Sequence, residues 1–591
     1  MKTPEFCVLL AYSSIEDMGR VVTVRYPKVS VAVLHQPSSK SYRLLASNSP
    51  SHRLVMTDYD LSLKSASQHA AKKISSTKMI TLAVALIALA ALVYYGTSNF
   101  DYWKKKGVKH EKPLPFFGNN LKGFLQMKSY AQYALEYYKK YPNEKVVGFF
   151  RAVKPELLIH DPEYVRRILF QDFAHFHSRG LITHKKVVQP LFRNLFFLEG
   201  DNWKLLRQRM TPIFTSGKLK AMFPLIVERA EKLKARTLSS AAEGATLDVK
   251  ELMARYTTDF IGACGFGVDS DSLNDENSEF RKLGASIFGS YKVKDIFYTF
   301  LKNIFPEMTK NLPLLKHIED DMKDFVGSVL KKRNYQPCGR GDFVDLLLEC
   351  QKMGTIYGES IEHIRNGIPE KASLEFDDDL IMAQIFVFFA AGFETSSSAS
   401  SFTLHQLAHH PEVQEKVQKE IDHVLSKYNG KLCYDAIKEM TYLEWTLKET
   451  MRIFPLLGVL VRECARPYYF PEIDLRIDPG VKVFIPVIGF HTDPQYFTDP
   501  EEFRPERFHP DEFGTMQKQL YMPFGDGPRN CIGARLGLMQ SVAGLAAILS
   551  AFTVEPAPDT VRHPEISTKS TFIQNVKGGL PLMFKERKST L

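Results

Sequence analysis

After residue 118, hydrophobic and polar positions follow a helical period over most of the chain. Apolar residues recur every three or four positions in four long stretches: 217–237, 276–290, 315–333 and 411–427. Such recurrence predicts amphipathic helices. Runs with strand character are short, namely VVGFFRA (146–152), PELLIHD (155–161) and VKVFIPV (481–487). The pattern therefore predicts a mainly α protein with small β-sheets.

Residues 79–95, MITLAVALIALAALVYY, form an uncharged apolar run. A run of this length is at the low end of what spans a bilayer, and its two tyrosines suit a membrane interface. Lysines flank the run, and the proline-rich PLPFFGN (113–119) follows it. We therefore predict a single N-terminal membrane-anchor helix and a basic, proline-rich hinge over 96–118. A buried core helix is the alternative.

Residues 1–78 are basic and rich in serine, with eleven lysines and arginines against five acidic residues and no sustained period. Three interpretations are open: a targeting extension, a disordered tail, or an incorrectly joined start of the reading frame. A chain starting at Met79 would resemble an ordinary signal anchor. The composition also resembles a mitochondrial transit peptide, although the acidic residues count against that reading.

Composition excludes several classes of protein. The 591 residues are 44% hydrophobic and 24% charged, which is ordinary for a globular protein and excludes wholesale disorder. Seven scattered cysteines without a C-x-x-C pair argue against a disulfide framework or a paired-cysteine zinc site, and favour a reducing compartment. The net charge of +10 comes without basic blocks interleaved with aromatics, so we expect no nucleic-acid partner.

The stretch FGDGPRNCIG, from Phe524 to Gly533, crowds three glycines and a proline around Cys531. Because glycine tolerates positive φ and proline fixes φ, the stretch predicts a tight, rigid loop. Such a loop can direct backbone N–H groups at one sulfur. These donors stabilise the thiolate, which is the form that ligates metals or acts as a nucleophile. A structural turn that carries a buried cysteine is the alternative.

The segment 379–409 predicts a long helix whose first half is apolar all round, as in a helix buried in a large core. Its middle, AGFET, contains Gly392, Glu394 and Thr395. A buried carboxylate is costly unless it has a function or a partner. The Thr395 hydroxyl can open the hydrogen-bond ladder and leave a local groove. The alternative is a core helix whose small residues permit close packing.

Two further sets of residues have spacings that allow buried polar contacts. Glu449 and Arg452 lie three positions apart on one helix face, and Arg507 follows in FRPERF. Together they can form a hydrogen-bonded, buried ion cluster in the core, and the alternative is that the three charges are scattered over the surface. Trp203 and Arg207 lie one helical turn apart in WKLLR. An indole N–H beside a guanidinium can bind a buried carboxylate, although such pairs are often plain amphipathic packing.

The order of these motifs is more informative than any one of them. WKLLR, AGFET, ETMR, PERF and FGDGPRNCIG follow one another, and the last fits F-x-x-G-x-R-x-C-x-G at Phe524, Gly527, Arg529, Cys531 and Gly533. In this series the chain resembles the cytochrome P450 superfamily from about residue 113 to its end. It looks most like insect microsomal P450s of the xenobiotic-metabolising type. The resemblance implies the P450 fold, with a haem-thiolate monooxygenase domain over 119–591 after the anchor.

The resemblance also implies how these residues hold a cofactor, haem b. Cys531 is the expected proximal thiolate ligand of the haem iron, with Phe524 shielding the sulfur. Gly527 and Gly533 are expected to let the backbone approach the porphyrin. The expected partners of the haem propionates are Trp203, Arg207, Arg462 and Arg529.

On the distal side, the resemblance implies that Thr395 and Glu394 order water and deliver protons to dioxygen. It implies a structural triad behind the haem, without a catalytic role, for Glu449, Arg452 and Arg507. Six aromatic or aliphatic residues are the expected substrate contacts, and they imply a lipophilic substrate: Phe386, Phe389, Ala390, Leu457, Val459 and Phe572.

The implied reaction inserts one atom of dioxygen into a lipophilic substrate, either a xenobiotic or an endogenous lipid or hormone. The chain has no G-x-G-x-x-G dinucleotide segment and no flavin domain. Electrons from NADPH are therefore expected through a separate P450 reductase, with cytochrome b5 as a further partner. The expected location is the endoplasmic reticulum membrane with a cytosolic catalytic domain, and the alternative is the mitochondrion.

Three rival functions stay open at this stage. Some family members rearrange or dehydrate oxygenated lipids, although intact Glu394 and Thr395 favour oxygen activation. A hydrolase with a cysteine nucleophile needs a histidine base, and no histidine lies within twenty residues of Cys531 in the sequence. The third rival is a membrane-anchored binding or scaffold protein without catalysis.

Overall fold

The computed structural model describes the backbone of residues 21–26, 29–35, 42–47, 62–182, 184–242, 245–288, 292–569 and 573–588, and side chains from Met79 onward except that of Phe288. The chain divides into two compact units, Met1–Leu92 and Val93–Leu591. The first unit contains an antiparallel sheet of β1 (Val21–Tyr26), β2 (Val29–His35) and β3 (Tyr42–Ser47). Each of these strands has only six or seven residues, which is too short for a sustained period in the sequence.

Helix α1 (Ser62–Thr97) contains the predicted apolar run. Its part Met79–Thr97 has a mean hydropathy of 2.2, and only 6% of it is buried. Two further described helices, Asp378–His409 and Ala534–Ala551, are long and apolar enough to cross a membrane, but 72% and 56% of their apolar windows are buried in the protein. Among the described helices that are long and apolar enough to cross a membrane, Met79–Thr97 is the one that is mostly exposed.

Helices make up most of the second unit. Those in its first half are α2 (Tyr102–Lys105), α3 (Leu121–Phe124), α4 (Tyr130–Lys140), α5 (Pro162–Arg166), α6 (Phe173–Phe176), α7 (Gly200–Met210), α8 (Ser216–Ala242), α9 (Val249–Ile261), α10 (Glu279–Phe288), α11 (Val293–Ile304), α12 (Lys316–Lys332) and α13 (Phe343–Met353). Those in its second half are α14 (Asp378–His409), α15 (Pro411–Lys427), α16 (Tyr434–Glu439), α17 (Thr441–Ile453), α18 (Val487–His491), α19 (Thr515–Leu520) and α20 (Ala534–Ala551). The four predicted amphipathic helices correspond to α8, α10, α12 and α15.

The strands of the second unit are short. They are β4 (Val146–Arg151), β5 (Lys154–Ile159), β6 (Leu247–Asp248), β7 (Thr355–Arg365), β8 (Ile368–Glu375), β9 (Leu460–Glu463), β10 (Tyr468–Phe470), β11 (Leu475–Ile477), β12 (Lys482–Ile485), β13 (Phe552–Pro556) and β14 (Pro581–Glu586). They form the sheets β4-β5-β12-β9, β13-β14-β6, β7-β8 and β10-β11. In the largest sheet, β12 is parallel to β5 and antiparallel to β9. The prediction of a mainly α protein with small sheets is confirmed.

Helix α14 runs through the core of the second unit, where α9, α17 and α20 pack against it. It begins after Asp377, whose carboxylate accepts the backbone N–H of Leu380 at 2.8 Å. Gly392 lets α9 approach closely, because a Cβ at this position would lie 2.8 Å from Cδ1 of Ile261. α14 is therefore a rigid element on which side chains of the candidate site are held.

Candidate active site

The cysteine loop lies between a 3₁₀ turn, Gly527–Arg529, and the start of α20. The Cys531 N–H donates to the Phe524 carbonyl at 2.8 Å, which closes the tight turn. Gly527 adopts a φ of +71°, and a Cβ there would overlap the Leu169 carbonyl oxygen. The protein itself therefore requires glycine at this position. At Gly533 a Cβ would meet only the Phe214 ring, at 3.6 Å.

Cys531 is an exposed residue just before the N-terminus of α20, although protein atoms surround its thiol. Burial among protein atoms raises the pKa of its thiol. The backbone N–H of Gly533 and the guanidinium groups of Arg207 and Arg179 act in the opposite direction and lower it. These donors and cations are the groups that stabilise a thiolate.

Two arginines, Arg529 of the loop and Arg179, join the cysteine loop to the chain segments that precede α7. Arg529 is buried and donates to the carbonyls of His177 and Leu198 at 2.5 and 2.8 Å. Its guanidinium lies over the Trp203 ring, 4.1 Å from the ring centroid. Arg179 donates to the Arg529 carbonyl at 3.0 Å. Trp203 therefore orients a buried cation by a cation–π contact.

Two more arginines bind the loop backbone. Arg207 donates to both the carbonyl and the side-chain oxygen of Asn530, at 2.9 Å each. Arg462 is buried in β9 and donates to the Asp526 carbonyl at 3.3 Å. The structure thus brings Trp203, Arg207, Arg462 and Arg529 together around Cys531.

Among the described residues, no carboxylate oxygen lies within 4.0 Å of the guanidinium of Arg179, Arg207, Arg462 or Arg529. Burial and the neighbouring arginines lower the pKa of Arg529 well below its usual value, and that of Arg179 to about 9. Two buried atoms, Nε of Arg462 and Nη1 of Arg529, have no hydrogen-bond partner in the described chain. Buried cations of this kind need an anion. This donor set fits the propionates of haem.

A strip of α14 is accessible in the middle of an otherwise buried helix. Ala391 is exposed, and Val387 and Thr395, four residues to either side of it, are half-buried. The Thr395 hydroxyl donates to the Ala391 carbonyl at 2.6 Å. The helix is continuous through this point, so the hydroxyl bond does not interrupt α14, and a local opening of the hydrogen-bond ladder stays a prediction.

Two groups next to the cysteine loop adjoin α14 at either end of this strip, namely the start of α20 and the Phe214 ring. A Cβ at Gly537 would lie 3.6 Å from the Ser396 Oγ. At the other side, the Phe214 ring is next to Gly533 and stacks on Phe388, with 5.7 Å between ring centroids. The strip and the Cys531 loop therefore border the same region.

Glu394 lies on a different face of α14 from Thr395. It is buried, and its Oε1 accepts a hydrogen bond from Nδ2 of Asn575 at 2.8 Å. Burial raises the pKa of this carboxyl, against the lowering effect of Lys250 and Arg281. Glu394 is thus a buried acid between α14 and the C-terminal loop.

Glu449, Arg452 and Arg507 meet in the core. Glu449 and Arg452 are fully buried and form two hydrogen bonds of 2.8 and 2.9 Å. Arg507 donates to Glu449 Oε1 at 3.1 Å and also binds the carbonyls of Thr498 and Asp499. The remaining donors of Arg452 bind backbone carbonyls. The three residues form a closed, paired cluster.

The predicted substrate contacts fall in different environments. Phe389 is fully buried, with its ring centroid 4.6 Å from that of Phe280, and Phe386 and Ala390 are 7% and 9% exposed. The structure does not place these three on the accessible strip. A helix that is apolar all round gives no signal of which face is accessible. Leu457 and Val459 are half-buried after α17, and Phe572 lies outside the described residues.

Two residues were not singled out from the sequence. Arg179 joins the cation cluster from a loop, where a lone arginine has no diagnostic spacing. His491 connects the triad to the cysteine loop: its Nδ1 donates to the Arg452 carbonyl at 3.2 Å, and its Nε2 accepts the Met522 N–H at 3.1 Å. Burial and Arg452 lower its pKa to about 3.

Comparisons with known proteins agree with this geometry. The family model described as cytochrome P450 matches residues 108–582. Cytochrome P450 6a2 of Drosophila melanogaster is 37% identical over 513 residues, covering 85% of this chain and 98% of that protein. Cytochrome P450 6B6 of Helicoverpa armigera is 36% identical over 517 residues, and cytochrome P450 6k1 of Blattella germanica is 36% identical over 506. These alignments cover 86% and 85% of this chain and 98% and 96% of the relatives. The chain belongs to the cytochrome P450 family and is a P450 monooxygenase.

Proposed function

We propose that the protein is a haem-thiolate monooxygenase that inserts one atom of dioxygen into a lipophilic substrate, either a xenobiotic or an endogenous lipid or hormone. The observation that carries the proposal is the cysteine loop, around which four guanidinium groups have no carboxylate partner among the described residues. A single sulfur supported by an N–H donor suits a metal ligand. Four cations that lack acidic partners suit a cofactor with carboxylates of its own.

In this proposal Cys531 ligates the haem iron, and Arg207, Arg462 and Arg529 bind the propionates together with Arg179. Trp203 acts indirectly, because its ring holds the Arg529 guanidinium in place by the cation–π contact. Phe524 shields the sulfur, and Gly533 directs its N–H at it. When bound, the haem supplies the oxygen chemistry, which a thiolate ligand favours by donating electron density.

Thr395 and Glu394 are the proposed proton-handling groups. The Thr395 proton is committed to the Ala391 carbonyl, so its oxygen is free to accept a hydrogen bond from water on the accessible strip. Burial raises the pKa of the Glu394 carboxyl, which favours its protonated form. Because Asn575 donates to Glu394 Oε1, a proton on this carboxyl would be carried by Oε2.

The proposed electron donor is a separate NADPH-dependent P450 reductase, with cytochrome b5 as a second donor. Basic residues near the cysteine loop provide a docking face for an acidic partner: Lys204 and Arg209 of α7 and Arg535 of α20. Arg209 and Arg535 are exposed, and Lys204 is half-buried. Electrostatic docking of this kind weakens as ionic strength rises.

The proposed location is the endoplasmic reticulum membrane, with Met79–Thr97 as the span and the catalytic unit in the cytosol. The mitochondrion is the alternative. The proposed organisation is an extension over 1–78, an anchor over 79–95, a hinge over 96–118 and the monooxygenase domain over 119–591. The apolar exposure of Met79–Thr97 supports the anchor.

Reconstitution tests the proposal. The full-length protein in phospholipid vesicles is mixed with P450 reductase, NADPH and a panel of lipophilic substrates under ¹⁸O₂. We expect products that carry one ¹⁸O atom and that require both NADPH and reductase. Conversion of an oxygenated lipid without NADPH, and without uptake of ¹⁸O, would identify a rearranging enzyme instead.

A further inference from the structure

Two glutamates meet beside the arginines that surround the cysteine loop. Glu199 directly precedes α7, and Glu463 is the last residue of β9. Their side chains are only 10% and 9% exposed. Both lie near Lys185, whose Nζ is 2.6 Å from Glu463 Oε1 and 3.6 Å from Glu199 Oε2. One lysine thus serves two buried carboxylates, and we call these three residues the Lys185 cluster.

The backbone at Gly180 packs closely against both carboxylates. Its N–H donates to Glu199 Oε1 at 2.6 Å. Gly180 has a φ of +66°, and a Cβ at this position would lie 2.6 Å from Glu463 Oε2. The Glu463 N–H donates to the Ser178 carbonyl at 2.7 Å. Both glutamates are therefore bound to the chain on either side of Arg179.

Two of the arginines around Cys531 are next to the cluster in the sequence. Arg179 directly precedes Gly180, and Arg462 directly precedes Glu463. Because the peptide unit between successive residues is planar and rigid, fixing Gly180 and Glu463 also restricts where the two arginines begin.

The other two arginines are connected to the cluster through Glu199. Arg529 donates to the carbonyl of Leu198, which directly precedes Glu199. Arg207 belongs to α7, which begins directly after Glu199, and the Trp203 N–H donates to the Glu199 carbonyl at 3.2 Å. A shift of Glu199 would therefore move both the start of α7 and a carbonyl that holds Arg529.

The two carboxylates depend on Lys185 for their charge balance. Among the described residues, Lys185 is the one cation within 4.0 Å of either carboxylate. Burial and Glu463 raise the pKa of Glu199, and Lys185 lowers it. More distant charges act on the two glutamates from Arg529, Arg179 and Lys482. Without Lys185, two like charges would share one buried site, which is unfavourable.

We propose that the Lys185 cluster positions the arginines that bind the haem propionates, and that Lys185 is the positioning residue that keeps Glu199 and Glu463 together. This proposal rests on the proposed haem-thiolate function. Lys185 acts through the two glutamates and has no part in the oxygen chemistry. Loss of its ammonium would force the carboxylates apart and loosen the backbone beside Arg179, so that haem would be held less firmly.

Transfer of haem to an apo-globin, from the full-length protein in phospholipid nanodiscs, tests the proposal. Lys185→Met should release haem about tenfold faster than the wild type, because breaking a partly buried ion pair has an effect of this order. Lys185→Arg retains the cation and should restore the wild-type rate. The matched control Lys186→Met removes the neighbouring exposed lysine, which has no ion pair among the described residues, and should leave the rate unchanged.

Thermal unfolding of the same preparations separates charge compensation from packing. In Lys185→Met the pKa of Glu199 should rise further, so the folded variant favours a proton on this carboxyl more than the unfolded chain does. The Tm of Lys185→Met should therefore be lower than that of the wild type at pH 7, and the difference should shrink as the pH falls to 5. The double variant Lys185→Met/Glu463→Gln also removes the like charge and should recover most of the Tm lost at pH 7.

A wild-type rate of haem transfer in Lys185→Met, or an equal acceleration in Lys186→Met, would overturn the proposal. So would a Tm difference that is the same at pH 7 and pH 5, because it would show that Lys185 only fills space. A wild-type preparation without haem would instead refute the haem-thiolate function. The Tm comparison does not require haem, so it would still show whether Lys185 compensates the two glutamates.

Discussion

The second unit contains a buried arginine cluster, the triad, and a partly buried one around Cys531, and the two differ in one respect. In the triad, Arg452 and Arg507 share the carboxylate of Glu449, and their other donors bind carbonyls. Around Cys531, four guanidinium groups bind only carbonyl and amide oxygens of the described chain. The first cluster is complete without any ligand, whereas the second lacks its anions. This contrast is the basis for proposing that the paired cluster stabilises the fold and that the unpaired cluster binds a cofactor.

The largest expected effect is the loss of the triad carboxylate. Glu449→Ala leaves two buried guanidinium groups without their charge partner, and breaking a buried pair in this way costs about 3–5 kcal/mol. Urea denaturation should show this loss. The matched control Glu444→Ala, on the same helix but exposed and paired with Lys448, should cost less than about 1 kcal/mol. A Glu449→Ala variant as stable as Glu444→Ala would refute the structural role.

Two glycine variants of the cysteine loop distinguish an effect on folding stability from an effect on cofactor binding. Gly527→Ala forces a Cβ onto the Leu169 carbonyl at a positive φ, and we expect a loss of about 2 kcal/mol or more. Gly533→Ala has room among the protein atoms and should change stability by about 0.5 kcal/mol or less. It should instead reduce haem content, because the porphyrin is proposed to approach there. Thermal unfolding and haem absorbance check both variants, and equal destabilisation of the two would contradict this division.

Acid should weaken the link between the two clusters. The pKa of His491 is about 3 in the folded chain, below the usual 6.5. The unfolded chain therefore takes up the proton first. The stability from neutral His491 is present above about pH 6.5 and is lost as the pH falls towards 3. Between pH 7 and pH 5 the loss through this residue is about 2 kcal/mol.

Denaturation at several pH values checks this. His491→Gln should be less stable at pH 7 but should show a shallower fall, and the difference between the two curves isolates His491 from other buried histidines. Parallel curves for the wild type and the variant would mean that His491 does not titrate as described.

The smallest expected effect concerns the unpaired cluster. Arg462→Met removes a buried cation that has no carboxylate partner, so the free energy of unfolding of the cofactor-free protein should stay within about 1 kcal/mol of the wild type or rise. Haem should dissociate about tenfold faster, because one charge-assisted bond to a propionate is lost. Transfer of haem to an apo-globin measures this rate. A large loss of stability with unchanged haem retention would show that Arg462 stabilises the fold, as the triad is proposed to do, and does not bind the cofactor.

The fold could be predicted well where one period dominates. The predicted helix 411–427 coincides with α15, and 217–237 falls within α8. The hairpin β7–β8 was missed, although Asn366 and Gly367 at its tip, both at positive φ, are a turn pair that sequence reasoning can detect. Hairpin strands with mixed burial give no clean alternation.

The candidate site could be predicted only as far as its motifs reach. Cys531 and the triad residues lie in short motifs whose local spacing can be detected in the sequence. Arg179 reaches its neighbours from a loop and His491 from the end of α18, which no local spacing encodes. The accessible face of α14 was also out of reach, because a helix that is apolar all round does not show its register.

The central claim is that Cys531 is the thiolate ligand of a haem iron, and the optical spectrum of the reduced, carbon-monoxide-bound protein tests it most directly. The wild type and the control Cys433→Ser should show the strongly red-shifted Soret band of thiolate ligation, and Cys531→His should lose it while still binding haem. Wild-type protein without porphyrin, or a red-shifted band that persists in Cys531→His, would contradict the account.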